Sequence, residues 1–226
     1  HLGDVLANVD VLVAQDLAAY GRDQGVGERA IIPLVRAVAE RVDRVRSLYL
    51  YPSDLTEALI DTVLATGVPY FDLSLQHTSR PVLRRMRRFG RTESFLELLA
   101  NARTLVPAAG ARSNVIVGFP GETEDDVDEL EAFLVAARLD AVGVFGYSDE
   151  DGTEAATYDG KLPDDVVRER VERITALVEE LTSQRAEDRH GETVEVLVEV
   201  VLETDEGIVV EGRSATQAPE VDGATA

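Results

Sequence analysis

Along the first 150 positions, short apolar runs alternate with stretches whose apolar residues recur every three or four places. The runs are "DVLVAQD" (10–16), "RSLYLYP" (46–52), "YFDLSLQH" (70–77), "RSNVIVGFP" (112–120) and "DAVGVFGYS" (140–148). Each has strand length and ends in polar or turn-forming residues. Between them, "IIPLVRAVAERV" (31–42) has helical spacing, with Pro33 tolerated in a first turn. "SDLTEALIDTVLATG" (53–67) predicts a helix capped by Ser53 or Asp54 and stopped at Gly67. Two helical stretches follow at 79–88 and 93–105, and another at 123–139 carries Thr123 and Asp126 in capping-box positions. Strands separated by helices predict βα units around a parallel sheet, an α/β fold. Strands of such a sheet are buried on both faces, which accounts for their apolar runs.

The pattern changes after residue 150. A polar, glycine-containing connection (149–163) leads into one long charged helix (164–190) with Pro163 at its start. Then "ETVEVLVEVVLETDEGIVVEGRS" (192–214) alternates with period two around "TDEG" (204–207), which predicts a β-hairpin. The expected division is a core over 1–162, a connecting helix over 163–190 and a small antiparallel β module over 191–226.

Parallel α/β sheets bind ligands at the C-terminal ends of their strands. Those ends carry Gln15 and Asp16, Tyr51 and Pro52, Gln76 and His77, Gly118 to Glu122, and Tyr147 and Ser148. Gly118 and Gly121 lack a Cβ and would let a ligand approach the backbone closely. The helix starting at Thr123 aims its first N–H groups at the same place, but the acidic run Glu122 to Asp126 competes for them. A positively charged ligand is therefore easier to accommodate there than a phosphate. Gly-Phe-Pro-Gly reads equally well as a plain tight turn. Six arginines lie between Arg80 and Arg91; they form either a solvated face or, through one member, a contact with a carboxylate.

Composition narrows the partners. Of 226 residues, 45% are hydrophobic, and 43 Asp+Glu face 22 Lys+Arg for a net charge of −21. That excess repels phosphate backbones, so RNA binding is disfavoured, while a basic protein would be attracted. Solubility alone is the plainer use of the charge. With no cysteine, the chain can form neither a disulfide nor a thiolate metal site. No apolar run reaches the ~18 residues of a membrane span, and no signal-peptide pattern opens the chain, so a cytoplasmic location is the default expectation. No HExxH, GxSxG or P-loop pattern is present, and the three histidines stand apart at 1, 77 and 190. The opening "HLGDVLANVDVLVAQD" reads like the inside of a domain, so a fragment is expected.

The phrases "VLVAQDLAAYGRD" (11–23), "YLYP" (49–52), "YFDLSLQH" (70–77), "VLRRMRR" (82–88), "NVIVGFPGETEDD" (114–126) and "GVFGYSDEDGTEAA" (143–156) resemble, in order and spacing, the radical S-adenosylmethionine (SAM) methylthiotransferases. "GRSATQAPEVDG" (212–223) looks like that family's TRAM domain, a small β-barrel. One branch of the family modifies an adenosine of transfer RNA. The other, of RimO type, modifies an aspartate of small-subunit ribosomal protein twelve. "LYLYP", "DLSLQH", "FGYSDEDGT" and "APEVDG" resemble the RimO branch. Charge agrees: from residue 182 onward there are 3 Arg and no Lys against 11 Asp+Glu, a net of −8, which suits a basic protein rather than RNA.

The resemblance implies an incomplete TIM-barrel-like (β/α)6 core followed by part of a TRAM barrel, with an exposed sheet edge. It also implies the chemistry. A reduced 4Fe-4S cluster cleaves SAM to a 5′-deoxyadenosyl radical that abstracts hydrogen from an unactivated carbon. A second cluster supplies sulfur, and a second SAM supplies the methyl group. The residues that match cofactor-binding positions are Gln15, Asp16, Gln76, Arg88, Asn114, Gly118 and Tyr147, with Arg88 set to bind the SAM carboxylate. The cluster-binding cysteines of the family have no counterpart here. The chain alone is therefore expected to ligate no cluster and to be inactive, its first barrel strand and cysteine loop lying upstream. Two other readings stay open: the transfer-RNA branch, and a cysteine-free binding module without catalysis.

Overall fold

The computed structural model describes residues 9–14, 17–21, 30–204, 207–218 and 224–225. The elements are β1 (Val9–Leu12), α1 (Ile31–Ala39), β2 (Arg44–Ser47), α2 (Glu57–Leu64), β3 (Tyr70–Gln76), α3 (Arg80–Arg85), α4 (Thr92–Leu105), β4 (Gly110–Val117), α5 (Glu124–Ala137), β5 (Ala141–Gly146), α6 (Asp164–Asp188), β6 (Val196–Thr204) and β7 (Gly207–Ser214). Short 3-10 turns sit at Leu17–Ala19, Pro52–Asp54 and Ala155–Thr157. β1 and β2 pair in parallel, from Val9 opposite Arg44 to Leu12 opposite Ser47. A second sheet has the order β3–β4–β5, with β4 and β5 parallel from Arg112 opposite Ala141 to Val117 opposite Gly146. β6 and β7 form an antiparallel hairpin with an irregularity between Val198 and Val200. The molecule is thus α/β with parallel sheets and a C-terminal hairpin. No helix among the described residues is long and apolar enough to cross a membrane.

Local chemistry explains most of these boundaries. Thr123 caps α5 in a full capping box, its side chain accepting from the Asp126 N–H while Asp126 accepts from the Thr123 N–H. Pro163 directly precedes α6, where its fixed φ suits a helix start. The hairpin brings Thr204 opposite Gly207, where the alternation places the turn.

The strand expected at 46–52 lies instead at Arg44–Ser47. Tyr49 has a φ of +56°, a left-handed conformation that no ladder continues. Beyond it, the Leu50 N–H donates to Asp72 O at 2.8 Å. The helix expected from Ser53 begins at Glu57 behind Thr56, because Pro52–Asp54 forms a 3-10 turn. α3 stops at Arg85, before Arg87 turns left-handed with a φ of +55°.

The chain resolves into two compact units. One takes in His1–Asp72, Ala102–Ala111 and Gly191–Ala226; the other takes in Leu73–Asn101 and Arg112–His190. In the first, Ile31 and Val35 of α1 and Leu59, Ile60 and Val63 of α2 are buried together with Val45 of β2. In the second, α5 buries Val127, Leu130, Phe133, Leu134 and Ala137 along one stripe. Phe133 there meets Phe95 edge-on, with ring centroids 6.3 Å apart. α6 buries Arg170, Ile174 and Val178, spaced four residues apart on one face.

Arg46 links β2 to the C-terminal segment within the first unit. Its guanidinium lies 4.4 Å from the Tyr70 ring centroid and donates to Ala215 O at 3.0 Å and Gln217 O at 2.9 Å. The flat cation satisfies two carbonyls and stacks on an aromatic face at once, which a lysine could not do. Arg46→Met should leave both carbonyls without that donor and cost roughly 1–3 kcal/mol. It should also speed amide hydrogen exchange at Ser214 and Gln217, read by mass spectrometry; unchanged exchange at both would show that the segment is anchored elsewhere.

Candidate functional site

β4 sends Ser113, Val115 and Val117 to a buried side and Arg112, Asn114 and Ile116 to a half-buried one. β3 is buried on both faces up to its last residue, with Asp72, Ser74 and the half-buried Gln76 on one face and Phe71, Leu73 and Leu75 on the other. The Ser113 hydroxyl donates to Leu73 O at 2.7 Å and accepts from the Leu75 N–H at 3.3 Å, which fixes it level with that part of β3. Further along, His77 Nε2 lies 3.5 Å from Glu122 Oε2, and the Glu122 carboxylate sits on the Gly118 N–H. With these two ties β3 and β4 run the same way, so Gln76 and Gly118 share one end of the sheet. On the other side of β4, the Tyr147 N–H donates to Val117 O at 2.8 Å. Gln76, Gly118 and Tyr147 therefore converge. Asn114 lies further back on β4 opposite Gly143, where a Cβ would collide with the Asn114 amide oxygen.

Gln76 ends β3 with a φ of +67° and stays half-buried. A non-glycine residue held left-handed at a strand tip is strain that the surroundings must enforce, and such strain gathers at functional sites.

Beneath the tips lies a buried polar network. Both Glu122 oxygens accept from the Gly118 N–H, at 2.9 and 3.0 Å, and Arg170 Nη1 donates to Glu122 Oε1 at 2.6 Å. His77 Nδ1 accepts from the Ser79 N–H at 3.0 Å, and the Ser79 hydroxyl donates to Asp126. Asp126 also accepts from the Thr123 N–H at 2.8 Å and its hydroxyl at 2.6 Å. Burial opposes Asp126 ionisation, yet the hydrogen bonds from Ser79 and Thr123, with the field of His77, hold its carboxyl below the ordinary value. Glu122 thus faces inward and is not available to a cationic ligand, contrary to the charge pattern of the sequence. The side of Gly118 that lacks a Cβ faces Val167 of α6, whose Cγ2 would stand 2.7 Å from a Cβ built there. A protein side chain makes the close approach expected of a ligand.

The remaining candidates divide. Gln15 and Asp16 lie outside the described residues. Arg88 is half-buried just beyond α3, its N–H donating to Leu83 O at 2.7 Å. Its neighbours hold the loop after β5: Arg85 donates to Asp159 O at 2.7 Å, and Arg87 pairs with Glu154 at 2.6 Å. The Tyr147 hydroxyl donates to Asp149 at 2.7 Å, and its ring meets Phe119 edge-on at 5.1 Å. Burial, together with Asp149 and Glu150, pushes that hydroxyl up to about 12. Arg170, Ser79 and the inward turn of Glu122 were not visible in the sequence. The only signal for Arg170 is a cation on the stripe that continues as Ile174 and Val178. Among the described residues no group of three or more His, Cys, Asp or Glu could hold a metal.

A family model described as the radical SAM superfamily matches residues 24–134. The ribosomal protein uS12 methylthiotransferase RimO of Nocardioides sp. is 62% identical over 218 residues, which is 95% of this chain and 45% of that protein. Its counterpart from Kineococcus radiotolerans is 60% identical over 218 residues with the same coverage. The chain therefore spans less than half the length of these curated relatives. Among solved structures, coproporphyrinogen III oxidase (HemN) from Escherichia coli, described as a radical SAM enzyme, matches with a TM-score of 0.56 at 16% identity. The match covers 82% of this chain and 49% of that one, and it bears on the fold alone.

The network makes one sharp prediction. A carboxyl with a depressed folded-state pKa stabilises the fold above its unfolded pKa of about 4, and that stability is lost as pH falls through the folded value. Asp126→Asn should therefore cost roughly 1–3 kcal/mol near pH 7 in urea unfolding. The gap to the parent protein should close as pH is lowered from about 5 toward 2. A gap that persists at the acid end would mean the network does not depend on the Asp126 charge.

Proposed function

We propose that this chain, which belongs to the radical SAM methylthiotransferase family of RimO type, supplies cofactor-binding strand tips to an enzyme that adds a methylthio group to the β-carbon of an aspartate on ribosomal protein uS12. The observation that carries this reading is the 62% identity over 95% of the chain to a uS12 methylthiotransferase. The convergence of Gln76, Gly118 and Tyr147 at one end of the sheet supports it. On this reading the five parallel-type strands belong to a TIM-barrel-like (β/α)6 core, and β6–β7 belongs to a TRAM module.

SAM fits the strand tips. The amides of Gln76 and Asn114 offer both donors and acceptors to ribose hydroxyls and an adenine edge. Ile116 and Tyr147 offer apolar surface to the base, and Arg88 a cation to the amino-acid carboxylate. When bound, SAM supplies an adenosyl group for hydrogen abstraction and a methyl group. The chain's own task is to bind, orient and exclude water. Iron–sulfur clusters do not fit this chain, which has no thiolate to ligate them, so no step is assigned to them here.

The acidic hairpin is the proposed docking face for basic uS12. Glu195, Glu199, Glu203 and Glu211 lie on or beside β6–β7, in a segment with a net charge of −8 from residue 182 onward. That balance disfavours an RNA substrate and with it the transfer-RNA branch. A cytoplasmic location follows from a ribosomal substrate. The absence of cysteine favours a second reading, a binding module without catalysis. The genomic sequence upstream separates the two, since an in-frame CxxxCxxC supports the enzyme.

The test uses the natural gene product that contains this sequence, reconstituted anaerobically with iron and sulfide and given SAM, reductant and uS12. Mass spectrometry should show one methylthio group on one aspartate. Unmodified uS12, despite bound clusters and SAM, would reject the proposed reaction. In the same protein Gln76→Ala and Asn114→Ala should each weaken SAM binding by roughly tenfold; wild-type affinity in both would remove them from the site. Binding of uS12 should weaken steadily as salt is raised from about 0.05 to 0.5 M. An affinity indifferent to salt would rule out charge-driven docking.

A further inference from the structure

We propose that Arg170 of α6 is a positioning residue for the SAM site, acting through Glu122 on the peptide between Val117 and Gly118. The inference rests on the reading of the strand tips given above. Arg170 also lies outside the 24–134 region that matches the radical SAM family.

The peptide at the tip of β4 is held from both sides. Its carbonyl, Val117 O, accepts from the Tyr147 N–H at 2.8 Å. Its N–H, on Gly118, points into the Glu122 carboxylate at 2.9 and 3.0 Å. Glu122 has no side-chain exposure, so it neither meets solvent nor reaches a substrate. An isolated buried carboxylate is costly, and it stays ionised only with a counter-charge in contact. Arg170 Nη1 provides that charge at 2.6 Å and donates to the Glu122 carbonyl at 3.3 Å, while Nη2 reaches Glu124 at 3.2 Å. One turn earlier on α6, Val167 closes over the bare side of Gly118. α6 thus fixes the tip twice, through an apolar contact and through a charge.

Without Arg170 the carboxylate keeps beside it only His77 Nε2, at 3.5 Å, a weaker hold than the 2.6 Å guanidinium contact, and it turns more readily away from the Gly118 N–H. The peptide then turns more freely at a glycine whose φ of +79° the carboxylate had helped hold. The strand tip that lines the proposed adenosyl site loses its set orientation, although no residue touching the cofactor has changed.

The test compares Arg170→Met, the pair Glu122→Leu/Arg170→Met and the pair Glu122→Gln/Arg170→Met in the natural gene product. Replacing a buried ion pair by apolar residues is often tolerated by the fold, so the Leu/Met pair should stay native by circular dichroism and thermal unfolding. It has no acceptor for the Gly118 N–H. SAM affinity is read by titrating the perturbation of the reduced-cluster electron paramagnetic resonance signal. Arg170→Met and the Leu/Met pair should bind SAM roughly tenfold more weakly. The Gln/Met pair restores a neutral acceptor at the same place and should return toward wild-type affinity. A folded Arg170→Met or Leu/Met protein with wild-type affinity would overturn the proposal, as would failure of both to fold, which would make the pair purely structural. Gln76→Ala and Asn114→Ala serve as controls. If they weaken SAM binding and the Arg170 variants do not, only this inference fails; if they too bind normally, the cofactor reading itself fails.

Discussion

A carboxylate with no solvent exposure has to be neutralised where it sits, and at the tip of β4 that requirement arranges its surroundings. Glu122 closes the turn after the strand by accepting from the Gly118 N–H, which draws its charge into the interior. The charge in turn calls in Arg170 from a helix nearly fifty residues further along the chain. With that contact made, α6 lies against the strand tips, Val167 covers Gly118, and Ile174 and Val178 continue the same buried face. Next to it, Ser79, Thr123 and Asp126 satisfy one another and tie the start of α3 to the start of α5. The end of the sheet where Gln76, Gly118 and Tyr147 meet is therefore built on a charged, hydrogen-bonded base rather than on apolar packing alone.

The rest of the charge is handled differently. The excess of acidic residues is mostly carried on exposed positions, where repulsion is weak and screened. Exposed pairs such as Arg87–Glu154 and Arg138–Asp188 steer loops more than they stabilise the fold. The hairpin combines this acidity with exposed apolar residues, among them Val198, Val201, Leu202 and Ile208. A two-stranded ribbon has too little area to bury its own side chains, so it depends on an anchor, and Arg46 provides one at the segment that follows β7.

Similarity and chemistry point in the same direction here without covering the same ground. High identity to uS12 methylthiotransferases extends over nearly the whole chain but less than half of those relatives. The described residues of this chain present a polar strand edge and an acidic hairpin. The redox centre needs thiolates, and the sequence offers none.

Local chemistry was readable from the sequence alone. The capping box of Thr123 and Asp126, the start of α6 after Pro163, the parallel α/β order and the period-two hairpin each depend on neighbours a few residues apart. So did the gathering of Gln76, Gly118 and Tyr147 at one end, which follows from the direction of parallel strands. Features that depend on distant partners were not readable. The pattern placed β2 too late because Arg44 looks like a solvent residue and the apolar run continues past the left-handed Tyr49, while the partners that make a buried Arg46 acceptable, Tyr70, Ala215 and Gln217, are far away in sequence. It left Glu122 facing a ligand, because nothing near it in sequence announces Arg170. Periodicity reports which face a side chain is on; it cannot report which opposite charge, brought from far along the chain, will make burial of that side chain possible.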